Sequence, residues 1–316
     1  MVALRRMSLL VLGALIALNC TMVVASSKEL NKGSQASRVA AISTISPPPP
    51  AENEPLPKPR VYLFRGALGP IFSTGMDRLA EQLTKAGIDA NVYEFTICRL
   101  VADRAISKYR AAPAPIVLIG HSMGGLCSII FADMLAKEKI PVSLVVTIDP
   151  AQASGNVPLN VERFINIFFS NGILGGGDIV AEPGYRGHYA SFDLKEHKEV
   201  THITIDKEDD IHVQLVDMIT QLPRVAPQGA GDAVPLRYVV PADAKLELWD
   251  SGVRLPTHAG DTLERVAAQY HLPMWSVSQM NPVSENTPLQ AGQQVVIPRH
   301  LLPAAIAPEA ASPDRR

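Results

Sequence analysis

The amino-acid sequence predicts an α/β fold: a mostly parallel sheet covered by helices on both faces, followed by a small second domain. Between residues 60 and 222, short runs of β-branched and aromatic residues alternate with segments whose apolar residues recur at helical spacing. The strand candidate "APIVLIG" (114–120) is continuously apolar, as expected of a strand that helices cover on both faces. A chain of 316 residues, 47% of them hydrophobic, is long enough for this core and one further domain.

The first half of the core is predicted as two strand–helix pairs. The run "RVYLFRG" (60–66) ends in glycine and is typical of a strand. The segment "GMDRLAEQLTKAG" (75–87) has helical spacing of its apolar residues and a glycine stop. A second strand, "DANVYEF" (89–95), and a second helix, "CRLVADRAISKYRA" (98–111), follow.

The second half of the core begins with the buried strand at 114–120 and the apolar helix "GGLCSIIFADMLAKEK" at 124–139. Because this strand and helix abut, the whole stretch superficially resembles a membrane-spanning segment. Three further strands and a final amphipathic helix are then predicted, at 142–149, 163–170, 188–194 and 210–222.

The N-terminal residues 1–25 have the composition of an export signal. Arg5 and Arg6 precede a short apolar run, and small residues up to Ala25 offer a cleavage site. An uncleaved membrane anchor and a lipid-modified Cys20 are the alternatives. A cleaved signal implies a periplasmic or extracellular protein.

Proline-rich and glycine-rich stretches divide the rest of the chain. Residues 26–59 are rich in serine and then in proline, which is typical of an extended linker. A second linker is predicted at 223–250, between the α/β domain at 60–222 and a second domain at 251–302. The tail at 303–316 is again rich in proline and alanine, and we expect it to be loose.

Charge and cysteine content limit the possible functions. The net charge of −2 does not indicate binding to nucleic acid or to an anionic membrane surface. No His/Cys/Asp cluster has metal-ligand spacing, so we expect neither a metal nor an organic cofactor. Cys98 and Cys127 could pair in an oxidising compartment, but Cys127 lies in an apolar helix, where a buried free thiol is the commoner outcome.

The junction between the buried strand and the apolar helix carries a G-x-S-x-G motif. Gly120 and Gly124 flank Ser122, and their missing Cβ atoms allow a tight turn that exposes the serine hydroxyl at the carboxyl edge of the sheet. With this strand–helix context, "GHSMGG" resembles the nucleophile elbow of the α/β-hydrolase superfamily of lipases, esterases and thioesterases. The resemblance covers roughly residues 60–222, and it implies that Ser122 is a nucleophile.

A serine nucleophile needs a histidine base and a carboxylate that orients the base. In this superfamily the order along the chain is serine, acid, histidine. For the base, the resemblance favours His202, in a loop before the last helix, with His212 as the main alternative. For the acid, Asp149 follows the strand after the nucleophile helix and Asp178 follows the next strand. We favour Asp149, and Asp178 stays open.

The oxyanion that forms during acyl transfer needs two N–H donors. The resemblance implies that the Met123 amide, directly after the serine, is one donor. The other is expected in the loop after the first strand, from the backbone of Gly66 or Ala67.

The second domain has several motifs in a fixed order. "GDTL" precedes a helix that contains "VAAQY", "MNP" closes a second helix, and "LQAGQQVVIP" leads into a strand. This strand–helix–helix–strand pattern resembles a LysM module, which implies binding of peptidoglycan or other N-acetylglucosamine-containing glycans. The glycan-binding candidates that the resemblance implies are Asp261, Thr262, Asn281, Pro282 and Val283.

Together these features predict an exported, cell-wall-associated serine hydrolase. We expect it to cleave carboxylic esters or thioesters through an acyl-enzyme, with the LysM module bound to peptidoglycan. Two alternatives remain at the level of sequence: a cell-wall-binding protein on a catalytically dead hydrolase scaffold, and an acyltransferase on the same scaffold.

Overall fold

The computed structural model describes residues 57–222 and 233–299, and all of them belong to one compact unit. The predicted signal at 1–25, the linker up to residue 56 and the tail at 303–316 lie outside the described residues. Within the described ranges, no helix is long and apolar enough to cross a membrane.

The core is a parallel sheet of seven described strands in the order β2-β1-β3-β4-β5-β6-β7. Its strands are β1 (Arg60–Arg65), β2 (Asp89–Glu94), β3 (Ile116–His121), β4 (Leu144–Ile148), β5 (Arg163–Phe168), β6 (His188–Asp193) and β7 (Leu236–Val239). Because all these strands run in one direction, their carboxyl ends meet at one edge, where loops can bring distant residues together.

Five helices accompany the sheet: α1 (Gly69–Phe72), α2 (Gly75–Lys85), α3 (Cys98–Ala111), α4 (Met123–Lys137) and α5 (Asp209–Gln221). The second domain contributes α6 (Leu263–Gln269), α7 (Met274–Ser278) and the antiparallel pair β8 (Ser251–Pro256) and β9 (Gln294–Arg299). The predicted fold class, a mostly parallel sheet plus a βααβ domain, is confirmed.

Two apolar layers sandwich the sheet, and the alternation of side chains along each strand creates them. In β1, Val61 and Leu63 pack in the layer formed with α2 and α5. The intervening Tyr62 and Phe64 pack in the opposite layer, with α3 and α4. The strand β3 is buried along its whole length, which explains its continuously apolar sequence.

The structure differs from expectation in the predicted linker at 223–250. Residues 236–239 form β7 and pair with β6 in register from Ala190↔Leu236. Leu236 and Tyr238 are buried, while their neighbours Arg237 and Val239 are not. A four-residue alternating run beside a Pro/Gly-rich stretch carries too little pattern to distinguish an edge strand from a linker.

The second domain packs directly onto the sheet layer that contains α2 and α5. The ring of Trp275 in α7 lies 5.6 Å from that of Trp249 and 5.2 Å from that of Tyr238, measured between centroids. The side chain of Gln279 accepts a hydrogen bond from the Val239 amide and donates one to the Val239 carbonyl, at 3.0 and 2.8 Å. These contacts join the second domain to the edge strand β7 and to the apolar layer beside it.

A buried ionic cluster forms a second link between the domain and the sheet. Asp250 lies 2.8 Å from His188 at the start of β6 and 3.7 Å from Arg163 at the start of β5. The Ser251 hydroxyl donates to Asp250, and Arg299 of β9 donates to Ser251. Buried charges require such partners, because an unpaired charge carries a large desolvation cost.

Cys98 and Cys127 form a disulfide between the first residue of α3 and the helix α4. The apolar helix around Cys127 favoured a buried free thiol, and the structure has the disulfide instead, because α3 brings Cys98 against α4. A disulfide is typical of proteins that fold in oxidising compartments.

We predict that Trp275→Ala will destabilise the whole described unit and not the second domain alone. Loss of this partly buried ring should lower the free energy of unfolding by about 2 kcal/mol, roughly half the usual cost for a fully buried aromatic residue. The measurement is chemical unfolding followed by far-ultraviolet circular dichroism, and one cooperative transition is expected to move.

His258→Ala is the matched control in the same domain, because the His258 side chain is 95% exposed. It should change stability by less than about 0.5 kcal/mol. Two separate transitions, of which Trp275→Ala shifts only the smaller, would contradict the prediction.

Candidate active site

Ser122 lies at a sharp corner between β3 and α4, with a positive φ of 56° that few residues other than glycine adopt. A Cβ on Gly120 would overlap the Gly124 backbone, and a Cβ on Gly124 would overlap the Phe64 carbonyl. Only glycine therefore fits two positions before the serine and two positions after it, which is the physical reason for the G-x-S-x-G spacing.

His202 and Asp149 complete a hydrogen-bonded chain with Ser122. The Nε2 atom of His202 is 3.1 Å from the Ser122 hydroxyl, and its Nδ1 atom is 2.6 Å from an Asp149 carboxylate oxygen. Asp149 is fully buried at the end of β4. Its second oxygen accepts hydrogen bonds from the amides of Phe169 and Gly176, at 3.2 and 2.8 Å, which hold the carboxylate in one orientation.

The alternative acid and base have other partners. Asp178 forms a two-nitrogen ion pair with Arg237 at 3.0 Å. His212 is buried in the first turn of α5, where its Nε2 atom lies 2.7 Å from the Asp206 carbonyl. Burial lowers the pKa of His212, so the ring is neutral near pH 7. Neither residue contacts Ser122 or His202.

The loop after β1 approaches the serine, and one of the two amides expected there already has an acceptor. The Gly66 amide donates to the Ser73 hydroxyl at 3.1 Å, so it is not free to bind an oxyanion. Gly66 is needed for close approach instead, because a Cβ there would lie 2.7 Å from the Cβ of Ser122. The next amide in this loop belongs to Ala67. On the other side, Met123 contributes the first N–H of α4, which has no acceptor within its own helix.

Asp206 is a buried carboxyl group that sequence reasoning missed. It follows the His202 loop, and its carboxylate accepts a hydrogen bond from the Gly75 amide at 2.9 Å, which ties this loop to the start of α2. Burial raises the pKa of Asp206 to about 6. No motif marks this residue, because its partner is 131 positions away in the chain.

A groove of about 540 Å³ adjoins the hydrogen-bonded chain. His202 and Asp149 form one wall, and Phe169, Ile173 and Leu174 contribute apolar surface. Ile173 and Leu174 are 95% and 67% exposed. The groove therefore offers apolar surface close to His202, while Lys195 and Lys198 line another part of it.

Further exposed apolar side chains come from the segments around the Gly66 loop and His202. They are Leu68, Ile71, Phe72 and Ile203. Large apolar side chains exposed together commonly mark a binding surface.

The glycan-binding candidates lie in two loops of the second domain that hydrogen-bond to each other. Asp261 accepts from the His258 amide with its side chain and from the Leu289 amide with its carbonyl, both at 2.7 Å. The Thr262 hydroxyl accepts from the Arg265 amide and caps α6. Both residues are partly exposed, so each can combine a structural role with ligand contact.

The other three candidates differ in exposure. Asn281 is 94% buried, with 6% of its surface exposed, and its side-chain amide bonds the backbone of Val277 and Val296 at 2.7 to 2.8 Å. Asn281 therefore holds the loop in place and offers little surface to a ligand. Pro282 is exposed and Val283 is half-buried.

Comparison with known proteins identifies the second domain. Residues 258–298 match the LysM domain family. No curated protein matches the chain significantly. Residues 258–298 are therefore a LysM domain, attached to an α/β core in which Ser122 lies at a strand–helix corner of the G-x-S-x-G type.

Several solved structures are similar to part of the chain. They include a protein described as a hydrolase of the alpha/beta superfamily from Xanthomonas campestris pv. campestris, with 20% identity, a TM-score of 0.26, and coverage of 36% of this chain and 73% of that one. An esterase from Pyrobaculum calidifontis has 20% identity, a TM-score of 0.23 and coverage of 33% and 39%. A thioesterase of prodiginine biosynthesis from Streptomyces coelicolor has 21% identity, a TM-score of 0.23 and coverage of 34% and 50%. The chain thus spans less than two thirds of the second and third structures, and TM-scores this low do not indicate a shared function.

We predict that Asp206→Asn will stabilise the protein near pH 7.5 and that its advantage over wild type will shrink as the pH falls towards about 4. The native pKa of Asp206, about 6, lies above its unfolded value of 3.8, so between these pH values the folded state binds more protons than the unfolded state. The stability of the wild type therefore falls as the pH rises from about 4 to above 6. Asparagine keeps an acceptor for the Gly75 amide and removes the buried charge.

The measurement is the melting temperature of both proteins at closely spaced pH values. Asp209→Asn is the control for loss of a surface charge, because the Asp209 side chain is 74% exposed. A difference between Asp206→Asn and wild type that does not change with pH would contradict the prediction.

Proposed function

We propose that this protein is an exported serine hydrolase that cleaves carboxylic esters or thioesters and is held at the cell wall by its LysM domain. The observation that carries the proposal is the hydrogen-bonded chain Ser122–His202–Asp149. The His202 ring nitrogens lie 3.1 Å from the Ser122 hydroxyl and 2.6 Å from the Asp149 carboxylate, and Ser122 lies at a strained strand–helix corner. Such a chain converts a weakly nucleophilic hydroxyl into one that can attack a carbonyl carbon.

The reaction begins when the Ser122 oxygen attacks the carbonyl carbon of the substrate. The Nε2 atom of His202 takes the hydroxyl proton, while the proton on Nδ1 stays in its hydrogen bond to Asp149. The imidazolium then gives its proton to the leaving alcohol or thiol, and an acyl-enzyme remains on Ser122. A water molecule, activated by His202 in the same way, releases the carboxylic acid and restores the serine.

The negative charge that develops on the carbonyl oxygen needs donors beside Ser122. We assign this role to the amides of Met123 and Ala67, since the Gly66 amide is engaged by Ser73. The Met123 amide lies at the N-terminus of α4, where the helix dipole further stabilises a negative charge on the carbonyl oxygen. We propose neither a metal nor an organic cofactor for this chemistry.

The apolar groove supports a substrate with a hydrophobic acyl or leaving group. Phe169, Ile173 and Leu174 line it together with His202, and the His202 ring lies 3.1 Å from the Ser122 hydroxyl, so we expect an alkyl chain in the groove to lie near the proposed nucleophile. An acyltransferase would use the same groove and the same acyl-enzyme. It would differ in transferring the acyl group to an acceptor sugar or lipid faster than to water.

The LysM domain supports a location at the cell wall, with peptidoglycan or a related N-acetylglucosamine-containing glycan as its partner. Asp261, Thr262, Pro282 and Val283 are the proposed contact residues, while Asn281 supports the loop. The Cys98–Cys127 disulfide and the proposed signal at 1–25 agree with export. A protein that only binds the wall would retain this partner and lack esterase activity.

We predict that Ser122→Ala will abolish ester hydrolysis, with a loss of about 10⁶-fold in kcat. Asp149→Asn should lower kcat by about 10⁴-fold, because it removes the acceptor that orients His202. The measurement is hydrolysis of p-nitrophenyl esters from acetate to palmitate, together with labelling of Ser122 by a fluorophosphonate.

Asp178→Asn is the matched control, since it makes the same chemical change at the rival carboxylate, which is paired with Arg237. It should keep activity close to that of wild type. Equal losses for Asp149→Asn and Asp178→Asn would contradict the assignment of the acid, and a wild type that neither labels nor hydrolyses would favour the binding-only alternative.

We predict that Pro282→Asp will weaken co-sedimentation of the full chain with purified peptidoglycan by about tenfold. The substitution places a charge at an exposed position of the proposed sugar groove, and an unpaired carboxylate against a bound sugar is costly. Gln269→Asp is the control, because it adds the same charge at the exposed far end of α6. If both variants sediment like wild type, the groove lies elsewhere.

A further inference from the structure

His121, the residue before the nucleophile, has both ring nitrogens in hydrogen bonds although only 2% of its surface is exposed. Its Nδ1 atom lies 2.7 Å from the Ser73 hydroxyl, and its Nε2 atom lies 2.8 Å from the main-chain carbonyl of His202. Its partners are 48 and 81 residues away, so no local pattern points to them.

The direction of each hydrogen bond follows from the chemistry of the partners. A carbonyl oxygen can only accept a hydrogen bond. The Nε2 atom of His121 therefore carries a proton and donates a hydrogen bond to the His202 carbonyl. Burial and, to a smaller extent, the neighbouring His202 lower the pKa of His121 to about 4, so the ring is neutral near pH 7. Its Nδ1 atom is therefore an acceptor, and the Ser73 hydroxyl must be the donor.

The chain of hydrogen bonds continues from Ser73 to the loop after β1. With its proton directed to His121, the Ser73 oxygen accepts a hydrogen bond from the Gly66 amide at 3.1 Å. Each donor in the hydrogen-bonded chain Gly66–Ser73–His121–His202 thus has an acceptor. The chain runs without interruption from the Gly66 amide to the His202 carbonyl. A fully satisfied buried network of this kind holds its members rigidly.

This network joins the two loops that the proposed reaction requires. One end fixes the main chain of His202, whose ring must reach the Ser122 hydroxyl. The other end fixes Gly66, which is adjacent to the proposed oxyanion donor Ala67. His121 is itself the last residue of β3 and directly precedes Ser122. The positions of both loops are therefore fixed relative to the serine.

We propose that His121 is a positioning residue, which sets the placement of the catalytic histidine and of the oxyanion loop relative to Ser122 through its two ring nitrogens. The inference rests on the proposed hydrolase function. A positioning role requires a hydrogen-bond donor and an acceptor at opposite ends of the side chain. A space-filling role would require only a side chain of this size.

The distinction can be tested with two substitutions at His121. His121→Leu fills space but offers no hydrogen bond, whereas His121→Gln offers an amide donor for the His202 carbonyl and an amide oxygen for the Ser73 hydroxyl. We expect His121→Leu to lower kcat for p-nitrophenyl ester hydrolysis by roughly 10²-fold with KM within about threefold of wild type, because misplaced reacting groups slow the chemical step. His121→Gln should restore kcat to within about tenfold of wild type.

Ser73→Ala tests the same network without altering His121, and it covers the case in which His121→Leu fails to fold. It removes the acceptor for Gly66 and the donor for His121, and kcat should fall by roughly tenfold with KM little changed. Far-ultraviolet circular dichroism and melting temperatures of each full-length variant establish that it is folded before the kinetics are compared.

Two outcomes overturn the inference while leaving the proposed function intact. The first is an active wild type in which folded His121→Leu and His121→Gln have the same kcat. The second is Ser73→Ala with unchanged kcat. If the wild type is not labelled at Ser122 by a fluorophosphonate and hydrolyses no ester, the proposed function itself fails, and the inference falls with it.

Discussion

The tight corner at Ser122 is the constraint on which the rest of the site depends. The chain must pass from a strand buried on both faces into a helix within one residue, and it does so with a positive φ at serine. Glycine on either side makes this passage possible, because any Cβ would overlap the main chain. The cost of the strained residue is offset by the two packed elements on either side, β3 and α4, which hold the hydroxyl at the carboxyl edge of the sheet.

Around this corner, the site is assembled from segments that are far apart in sequence but adjacent at one edge of a parallel sheet. Asp149 ends β4, the neighbour of β3, so a buried carboxylate lies beside the serine. The loop that carries His202 is anchored twice, by Asp206 to the start of α2 and through its own carbonyl to His121. These anchors explain how one flexible side chain can hold a position between a hydroxyl and a carboxylate.

The LysM domain is part of the same compact unit as the sheet, although a LysM fold can be recognised from its own sequence. Trp275 packs edge-on against Tyr238 and at a tilt against Trp249, and a buried ionic cluster around Asp250 joins β8 and β9 to the starts of β5 and β6. The loops proposed to bind glycan are thus attached to the α/β core by packing as well as by the chain. Attachment of this kind would hold the core in one orientation relative to a glycan bound by the LysM domain.

The sequence by itself determined the fold class, the order of the elements, the elbow and the LysM motifs, because hydrophobic periodicity and missing Cβ atoms act within a few residues. It narrowed the acid to Asp149 or Asp178 and the base to His202 or His212, and only the structure shows that Asp149 and His202 lie within hydrogen-bonding distance of each other and His202 within that distance of Ser122. Only the tertiary structure decided that the Gly66 amide is engaged, that residues 236–239 form a strand, and that the LysM domain packs against the layer beside β7. Each of these depends on contacts between segments tens of residues apart, which leave no local pattern.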